Sequence, residues 1–331
     1  MMDIYRPSKS IFYVHNSLSF GFHKEIITVM NINNSKNKAL IEENERLDRY
    51  FTKPIVASQC YQYMRKLLID TGKDLDSIIF IEPSAGSGNF LNAIMECKAG
   101  FDVVPILPSI IQNDFLKNNF TNKLSTREKE KNIVFIGNPP FGNRAHLAID
   151  FVNKALSYSN VVGFILPLQF RKWSVQSKIN KNARLIMDID LDANAFEFMG
   201  KDYKVRCSFQ VWSLDSFSAD YKDLRISKKP RTDHPHFEMY QYNRTEEAKK
   251  FFDYDWDFAV PRQGFCDYTL KVYDKKDCDL KKQWILFKAK DKKTLKKLVD
   301  LDFVKISQKN ISIPGFGKAD VIQEYKKQYN E

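Results

Sequence analysis

A chain of 331 residues with 43% hydrophobic residues can bury a large core, so its stability requires neither a structural metal nor disulfide bonds. Its five cysteines are widely spaced and form no CxxC pair, which indicates reduced thiols inside a cell. No apolar run has transmembrane length and no signal peptide is visible. We therefore expect a cytoplasmic protein without membrane contact, in the interior of a prokaryotic, phage or viral host cell.

The net charge is +11, and the C-terminal third of the chain contributes most of the excess. Residues 221–331 contain 25 Lys and Arg residues against 18 Asp and Glu residues. A basic balance favours a polyanionic partner, most commonly the phosphate backbone of nucleic acid. A charge excess that serves solubility alone would give the same balance.

The chain before residue 216 alternates helix-like and strand-like segments. Residues 1–46 lack a clear period and are interpreted as an N-terminal extension with a polar loop at residues 31–38. Helical spacing predicts helices over residues 55–69 (opened by Pro54), 89–97 and 145–157. Short apolar runs predict strands over residues 77–81, 100–104, 133–136, 161–166, 185–189 and 208–212. This alternation predicts an α/β fold, with an open Rossmann-like sheet in three layers.

Beyond residue 216 the strand-like pieces are short, as at residues 284–287, and charged runs separate them. The lysines of residues 292–297 fit the polar side of an amphipathic helix. We therefore predict a smaller C-terminal α+β domain, with its boundary within residues 214–223.

His234 and His236 form the closest histidine pair, and no cysteine lies near them in the sequence. A surface loop explains this pair better than zinc ligation, so no metal site is predicted.

The first of two motifs follows the strand predicted at residues 77–81 and runs from Glu82 to Gly88, Glu-Pro-Ser-Ala-Gly-Ser-Gly. Gly86 and Gly88 permit a tight turn and let a ligand approach the backbone. The segment matches neither phosphate-binding pattern, and the Glu82 carboxylate would repel pyrophosphate, so a cationic ligand suits it better. An ordinary strand-to-helix turn would also explain it.

The second motif, Asn138-Pro139-Pro140-Phe141, follows the strand predicted at residues 133–136. The two prolines lack N–H groups and hold the backbone extended, so the Pro139 carbonyl can point outward beside the Asn138 side-chain oxygen. Two fixed acceptors and an aromatic ring suit a planar amine. Ligands of open α/β sheets bind beyond the carboxyl ends of the strands, where both motifs are predicted to lie.

In this order the motifs resemble those of S-adenosylmethionine-dependent amino-methyltransferases, specifically the DNA adenine-N6 group with the cofactor motif first and the target-recognition domain last. The resemblance covers about residues 50–212. It implies the methyltransferase form of the sheet, S-adenosylmethionine as cofactor and double-stranded DNA as partner. A cognate restriction endonuclease is a further candidate partner. Residues 47–215 would form the catalytic domain and residues 216–331 the DNA target-recognition domain.

The resemblance also implies a set of cofactor-binding residues. The segment from Tyr50 to Pro54 resembles the upstream cofactor segment, although Lys53 interrupts the usual Thr-Pro pair. The family places an acid near the methionine part, an acid on the ribose hydroxyls and an acid at the adenine amine. The implied set is Thr52, Glu82, Ser84, Gly86, Gly88, Asp102 and Asp114. Asp102 could equally end a strand, and Asp114 could cap a helix.

The catalytic residues implied by the resemblance are Asn138, Pro139, Pro140 and Phe141. Hydrogen bonds from the target amine to Asn138 and to the Pro139 carbonyl would favour a pyramidal nitrogen. In duplex DNA the base must be flipped out, and Phe141 would stack on it. A second ring is expected from Phe196, Phe198 or Tyr203.

In the basic C-terminal region, Arg262 and Gln263 are predicted to reach base edges, since Arg–guanine and Gln–adenine are common bidentate pairs. Lys281 and Lys282, beside Trp284, are predicted to contact nucleic acid as well. Lysine runs of this kind also occur as plain solvated faces.

Other acceptors with a planar NH2 group stay open, namely RNA adenine, cytosine N4 in DNA and a protein glutamine amide. Cytosine-N4 enzymes more often have Ser at the Asn138 position, and glutamine methylation would not explain the basic C-terminal third. A catalytically inactive nucleic-acid-binding module is the non-enzyme alternative. Asn138 and Phe141 argue against it, because an inactive copy has no need of them.

Overall fold

The computed structural model describes residues 50–198, 201–309 and 313–330, except the side chains of Arg144, Phe198, Lys201 and Tyr203. The N-terminal extension predicted for residues 1–46, with its polar loop, lies outside the described residues.

Helices and strands alternate through the first half of the described chain. The helices are α1 Pro54–Asp70, α2 Asn89–Ala93, α3 Thr126–Lys129, α4 His146–Leu156 and α5 Trp173–Gln176. The strands are β1 Phe51–Thr52, β2 Ile78–Glu82, β3 Cys97–Asp102, β4 Ile111–Gln112, β5 Asn132–Gly137, β6 Val161–Pro167, β7 Arg184–Asp190, β8 Phe196–Phe198, β9 Lys201–Tyr203 and β10 Cys207–Ser213. Short 3-10 turns include Asn143–Ala145 and Leu168–Arg171.

The central sheet has seven strands in the order β4-β3-β2-β5-β6-β10-β7. The strands from β4 to β6 are parallel to their neighbours, and β10 is antiparallel to both β6 and β7. One reversed strand next to the edge of an otherwise parallel sheet gives the Rossmann-like methyltransferase fold. The predicted fold class is therefore confirmed.

The strands of this sheet alternate between two cores. Ile79 and Ile81 of β2 pack with α4 on one face, and Ile78 and Phe80 pack with α1 on the other. Successive side chains of a strand point to opposite faces, so one apolar run supplies both layers. Each buried side chain of this size contributes about 1.5–3 kcal/mol. This three-layer packing holds the loops at the carboxyl edge in place.

One predicted boundary is wrong. The helix predicted over residues 89–97 ends at Ala93, and β3 begins at Cys97 instead of residue 100. Contacts to α1 account for the early end: the Glu96 carboxylate accepts hydrogen bonds from the Tyr61 hydroxyl at 2.5 Å and from Arg65 Nε at 2.9 Å. Neither partner could be found from local periodicity.

A small three-stranded sheet, in the order β1-β8-β9, was not predicted from the sequence. In it Phe51 pairs with Glu197 and Thr52 with Phe196. The pairing brings a segment at the start of the described chain to the hairpin that precedes β10.

The C-terminal part has α+β structure, as predicted. Its strands β11 Phe237–Tyr242, β12 Phe258–Pro261 and β13 Trp284–Ala289 form an antiparallel sheet in the order β11-β13-β12. Its helices are α6 Glu246–Lys249, α7 Lys292–Val299, α8 Phe303–Gln308 and α9 Lys318–Tyr329. Its cores are separate from those of the seven-stranded sheet. The role of residues 216–331 in target recognition stays a prediction.

Arg206 joins the C-terminal part to the central sheet. It lies just before β10, where Cys207 pairs with Pro167 at the end of β6. Its guanidinium donates to the carbonyl oxygen of Gln308, and its own carbonyl accepts from the Leu168 N–H at 3.4 Å. The C-terminal part therefore contacts the carboxyl edge of the sheet.

All five cysteines are unpaired. Burial raises the pKa of the thiols of Cys60 and Cys207. Across the described ranges, no helix combines the length and apolarity needed to cross a membrane.

Candidate active site

The two sequence motifs meet at the carboxyl edge of the central sheet. β2 ends in Glu82 and β5 ends in Gly137, and these strands are parallel neighbours. The turns that follow them are joined by a hydrogen bond from Ser84 Oγ to the Asn138 carbonyl oxygen at 3.1 Å. Adjacent parallel strands therefore bring residues from two separate stretches of the chain into one site.

The segment around β1 forms a third wall. The Asn138 side-chain amide donates to the Tyr50 carbonyl at 3.0 Å, and the Asn89 amide donates to the Thr52 carbonyl at 2.8 Å. The three segments line a small open cleft. Of the predicted site residues, the cleft lining includes Thr52, Glu82, Ser84, Gly86 and Asn138.

The two polar atoms of the Asn138 side-chain amide differ in their hydrogen bonding. Its Nδ2 donates to Tyr50, while its Oδ1 is buried and has no hydrogen-bond partner in the described part of the chain. Leaving a buried acceptor unsatisfied costs about 1–3 kcal/mol, so such an atom points to a donor that a ligand would supply. A planar amine is a donor of this kind.

The remaining residues of the second motif lead into a strained turn. Pro139 is buried, and the half-buried Phe141 ring packs against both cores of the central sheet. Gly142 has φ +67° and Ala145, which has a Cβ, has φ +62°. A non-glycine residue in the left-handed region costs of order 1–3 kcal/mol and is most often found at functional sites.

Glu82 is a buried carboxyl at the tip of β2, only 2% exposed. Its Oε2 has no partner among the described residues. Burial raises the pKa of Glu82 well above its usual value; a backbone hydrogen bond from Leu91 opposes this rise, and the nearby Asp102 carboxylate adds to it. A cation beside Glu82 would stabilise its ionised form.

The glycines of the first motif have backbone conformations that other residues adopt at a cost. Gly86 has φ +47° and Gly88 has φ +76°. A Cβ at Gly86 would lie 3.2 Å from the Phe51 ring, so a side chain there would press into the cleft wall. Gly88 is the N-cap of α2 and lies in the turn, not in the cleft lining.

Asp102 ends β3 and is 4% exposed. Its Oδ2 accepts the Gly86 N–H at 2.9 Å and its Oδ1 accepts the Val104 N–H at 3.0 Å. The carboxylate therefore holds the glycine turn in position. Contact of Asp102 with a ribose stays a prediction.

Asp114 closes a turn of its own segment. Its Oδ1 accepts the N–H groups of Leu116 and Lys117, at 3.1 and 3.2 Å, and Lys117 Nζ lies 3.3 Å from its Oδ2. The residues after Asp114 form a turn and not a helix, so Asp114 is not the helix cap that the sequence left open beside a cofactor contact. Asp114 does not line the cleft.

Two further buried polar groups lie near these loops. Thr52 Oγ1 and Asn113 Nδ2 are buried and have no hydrogen-bond partner within the described ranges. The Asn113 N–H donates to the Asp102 carbonyl at 2.9 Å, which places Asn113 beside the end of β3. Asn113 was not predicted as a site residue, and no sequence signal distinguished it from its neighbour Asp114.

The second stacking ring is not Phe196. Its side chain is fully buried in the core and its backbone pairs with Thr52. The side chains of the other two rings, Phe198 and Tyr203, lie outside the described residues.

The four predicted nucleic-acid contacts differ in exposure. Gln263, Lys281 and Lys282 are exposed. Arg262 is half-buried, and its guanidinium donates to the Phe316 carbonyl at 3.1 Å and to Gln283 Oε1 at 2.8 Å. In this arrangement the Arg262 guanidinium links two segments of the C-terminal part.

Within the described part of the chain, no group of three or more His, Cys, Asp or Glu residues could hold a metal ion. The surface loop predicted for the histidine pair is correct only for His236, which is exposed. His234 is buried, because its ring stacks on Phe237 at a centroid distance of 4.3 Å.

The cleft suits S-adenosylmethionine in three respects. The free Oε2 of Glu82 matches a cation, Gly86 leaves room for close approach, and Thr52 offers a buried hydroxyl to a polar group. These residues would hold the cofactor beside Asn138.

No protein-family model matches the chain, and no curated protein matches it. Among solved structures, a protein of Pyrococcus horikoshii described as a candidate RNA methyltransferase has TM-score 0.37 and 17% identity, covering 50% of this chain and 87% of that one. A protein of Thermoplasma acidophilum, described without a function, has TM-score 0.32 and 15% identity, covering 48% of this chain and 90% of that one. Likenesses of this size assign no family, so the candidate site rests on its own geometry.

Proposed function

We propose that this chain methylates N6 of an adenine flipped out of double-stranded DNA, with S-adenosylmethionine as the methyl donor. The observation that carries the proposal is the buried, unpartnered Asn138 Oδ1 at the carboxyl edge of a methyltransferase-type sheet. A basic balance in residues 221–331 supports a nucleic-acid acceptor.

The residues of the second motif would act on the acceptor amine. The exocyclic nitrogen of adenine is a poor nucleophile, because its lone pair is delocalised into the ring. Asn138 Oδ1 and the Pro139 carbonyl accept its two N–H groups, which favours a pyramidal nitrogen with a localised lone pair. The hydrogen bond from Asn138 Nδ2 to Tyr50 fixes the amide orientation, so the acceptor is in place before the base arrives.

The cleft residues would act on the donor side. S-adenosylmethionine, when bound, supplies an electrophilic methyl group to the amine nitrogen. Glu82 balances the positive charge of that ligand, while Gly86 and Thr52 contact its neutral parts. Transfer would break the S–CH3 bond and leave a neutral thioether, and the methylated nitrogen would then release one proton to water. The Asn138 and Pro139 oxygens already orient the N–H groups from which that proton departs.

Base flipping gives Phe141, the aromatic residue of the second motif, a role in binding the extruded base. Extruding a base from the duplex costs a few kcal/mol. Stacking on an aromatic ring returns about 1–3 kcal/mol. Phe141 follows Pro140 directly and is only half-buried, and in this proposal its ring stacks on the flipped base.

The test is transfer of labelled methyl groups to unmethylated DNA and to total RNA in parallel, followed by mass spectrometry of the nucleosides. We expect N6-methyladenine in DNA and a loss of at least about 100-fold in Asn138→Ala, comparable to the loss of one aligned polar group from an active site. Asn132→Ala, at the opposite end of β5, is the matched control and should keep full activity.

Donor binding measured by calorimetry separates the outcomes. Asn138→Ala should still bind S-adenosylmethionine, since Glu82 and Gly86 remain. Label in RNA alone would identify RNA as the methyl acceptor, and N4-methylcytosine in DNA would identify cytosine in place of adenine. Donor binding without label in either nucleic acid would overturn the proposal and point to a protein amide.

A further inference from the structure

Phe265 is an exposed aromatic side chain on a tightly held loop. It is 88% exposed, whereas most of the aromatic side chains in the C-terminal cores are buried. The Gly264 N–H donates to the Pro314 carbonyl at 2.9 Å, and the Gly264 carbonyl accepts from the Tyr268 hydroxyl at 2.6 Å and from the Cys266 N–H at 3.0 Å. These bonds on either side of Phe265 hold the backbone that carries its ring.

Backbone contacts also hold the base of this loop, at Arg262 and Gln263. The Arg262 carbonyl accepts the Phe316 N–H at 2.9 Å, and Gln263 forms a bridge with Gly315. A Cβ at Gly315 would lie 2.8 Å from the Arg262 carbonyl oxygen, so the two strands of chain touch. A ring presented on so fixed a frame loses little conformational entropy when it contacts a partner.

A series of contacts links the Phe265 loop to the turn that follows the second motif. The turn Asn143–Ala145, which follows the second motif, contacts the turn Leu168–Arg171. Leu168 bonds to Arg206, and Arg206 bonds to Gln308. Gly315, the bridge partner of the loop, donates its N–H to the Ser307 carbonyl at 2.7 Å. A continuous series of contacts therefore leads from the catalytic turn to the Phe265 loop.

The surroundings of the loop are mainly cationic. Lys172, which follows the turn Leu168–Arg171, lies close enough to Arg262 and Asp320 to interact with their charges. Lys318 is half-buried two residues beyond Phe316, and neither lysine has an ion pair within the described chain. The nearby acids are Asp320, which binds the Gly317 N–H, and Asp267, which binds Thr269. Two lysines near the base of a loop that carries an exposed ring match a strand with phosphates and bases.

We infer that Phe265 stacks on an unpaired nucleic-acid base next to the target nucleotide, with Lys172 and Lys318 on the flanking phosphates. The inference rests on the proposed function for the position of the target nucleotide. An unpaired base offers an apolar face that any aromatic ring can cover, and phosphates offer the counter-charge. Phe265 is thus a positioning residue that stabilises the opened strand.

The experiment measures binding of full-length protein to fluorescein-labelled oligonucleotides by anisotropy. The probes are a DNA duplex with one bulged adenine, the same duplex fully paired, and the bulged duplex as RNA. Phe265→Ala should weaken binding to the bulged DNA roughly tenfold or more, and Phe265→Trp should restore it. Tyr273→Ala, another exposed aromatic of the same domain at 63% exposure, is the matched control and should bind as the wild type does.

The salt dependence of DNA binding tests the role of Lys172 and Lys318. Lys172→Ala and Lys318→Ala should each lower the slope of log affinity against log salt by about 0.9 on duplex DNA. Bulged-DNA binding by Phe265→Ala within twofold of the wild type, or no binding of any probe by the wild type, would overturn the inference. Loss seen only on the RNA probe would keep the stacking role and change the nucleic acid.

Parallel methyl-transfer assays distinguish this inference from the proposed function. A wild type that binds bulged DNA through Phe265 but transfers no methyl group would refute only the enzymatic proposal. A wild type that methylates DNA while Phe265→Ala binds normally would refute only the inference.

Discussion

Ser84 donates a hydrogen bond to the carbonyl oxygen of Asn138 at 3.1 Å, and this bond joins the turn after β2 to the turn after β5. The two residues are 54 positions apart in the chain. One turn supplies the walls of the donor cleft, and the other supplies the acceptor for the target amine. Their distance from each other therefore depends on this contact as well as on the sheet.

Ser84→Ala should lower the rate of methyl transfer by about fivefold, which corresponds to the ~1 kcal/mol of one net hydrogen bond. The effect should fall on kcat more than on donor affinity, because the bond positions Asn138. Ser87→Ala is the matched control, since Ser87 lines the same cleft without bonding to Asn138. Steady-state kinetics and calorimetry would check both; equal losses in the two variants would contradict the argument.

Glu82 should make stability depend on pH in a direction fixed by its burial. The pKa of Glu82 is raised in the folded state above the usual 4.5, so the folded protein holds the proton more tightly than the unfolded chain. Its contribution to stability is full below pH 4.5 and is lost as pH rises through the raised pKa. Glu82→Gln removes this term, so the Tm of the variant relative to wild type should increase as pH rises.

Thermal unfolding of both proteins between about pH 5 and about pH 9 measures this difference. A difference in Tm that stays constant with pH would show that Glu82 is not the responsible group. Donor binding should also release a proton from wild type but not from Glu82→Gln, because a bound cation favours the carboxylate. Calorimetry in buffers of different ionisation enthalpy detects that proton.

Gly86→Ala should weaken donor binding, and Gly72→Ala provides a matched control. Gly72 has φ +73° and a Cβ added there would meet nothing within 4 Å, whereas a Cβ at Gly86 would meet the Phe51 ring at 3.2 Å. Both variants should lose roughly 1–2 kcal/mol of stability from the left-handed backbone. Only Gly86→Ala should also lose donor affinity, which calorimetry would show. Unchanged affinity in Gly86→Ala would place the donor elsewhere.

Asp102→Asn should loosen the glycine turn. An Asn side chain has one acceptor oxygen, so either the Gly86 N–H or the Val104 N–H would lose its partner, at a cost of about 1–3 kcal/mol. We expect donor affinity to fall roughly tenfold. Asp74 accepts the Asp76 N–H at 3.0 Å in a turn before β2, away from the cleft. Asp74→Asn is therefore the control and should leave donor affinity unchanged.

The local sequence, together with the family resemblance of its motifs, was sufficient for the fold class and for the two turns. The apolar runs of β2, β5 and β6 and the helical spacing of α1 and α4 depend on neighbouring residues alone, and they were located to within a residue or two. Gly86 and Gly88 were identifiable for the same reason, because a tight turn requires residues that adopt positive φ. The Asn138 motif was identifiable because its prolines constrain the backbone that contains them.

Contacts between distant segments decided the rest. The Tyr50 carbonyl that orients the Asn138 amide lies 88 residues away in sequence, so no local pattern indicates that Oδ1 would be the open atom. Phe196 and Phe265 are the same residue type, yet pairing with β1 buries the first while a braced loop exposes the second. The sequence by itself determined which chemical groups the chain has at the ends of its strands. Only tertiary packing decided which of those groups are buried, engaged or open, because burial and hydrogen-bond partners are properties of the folded neighbourhood.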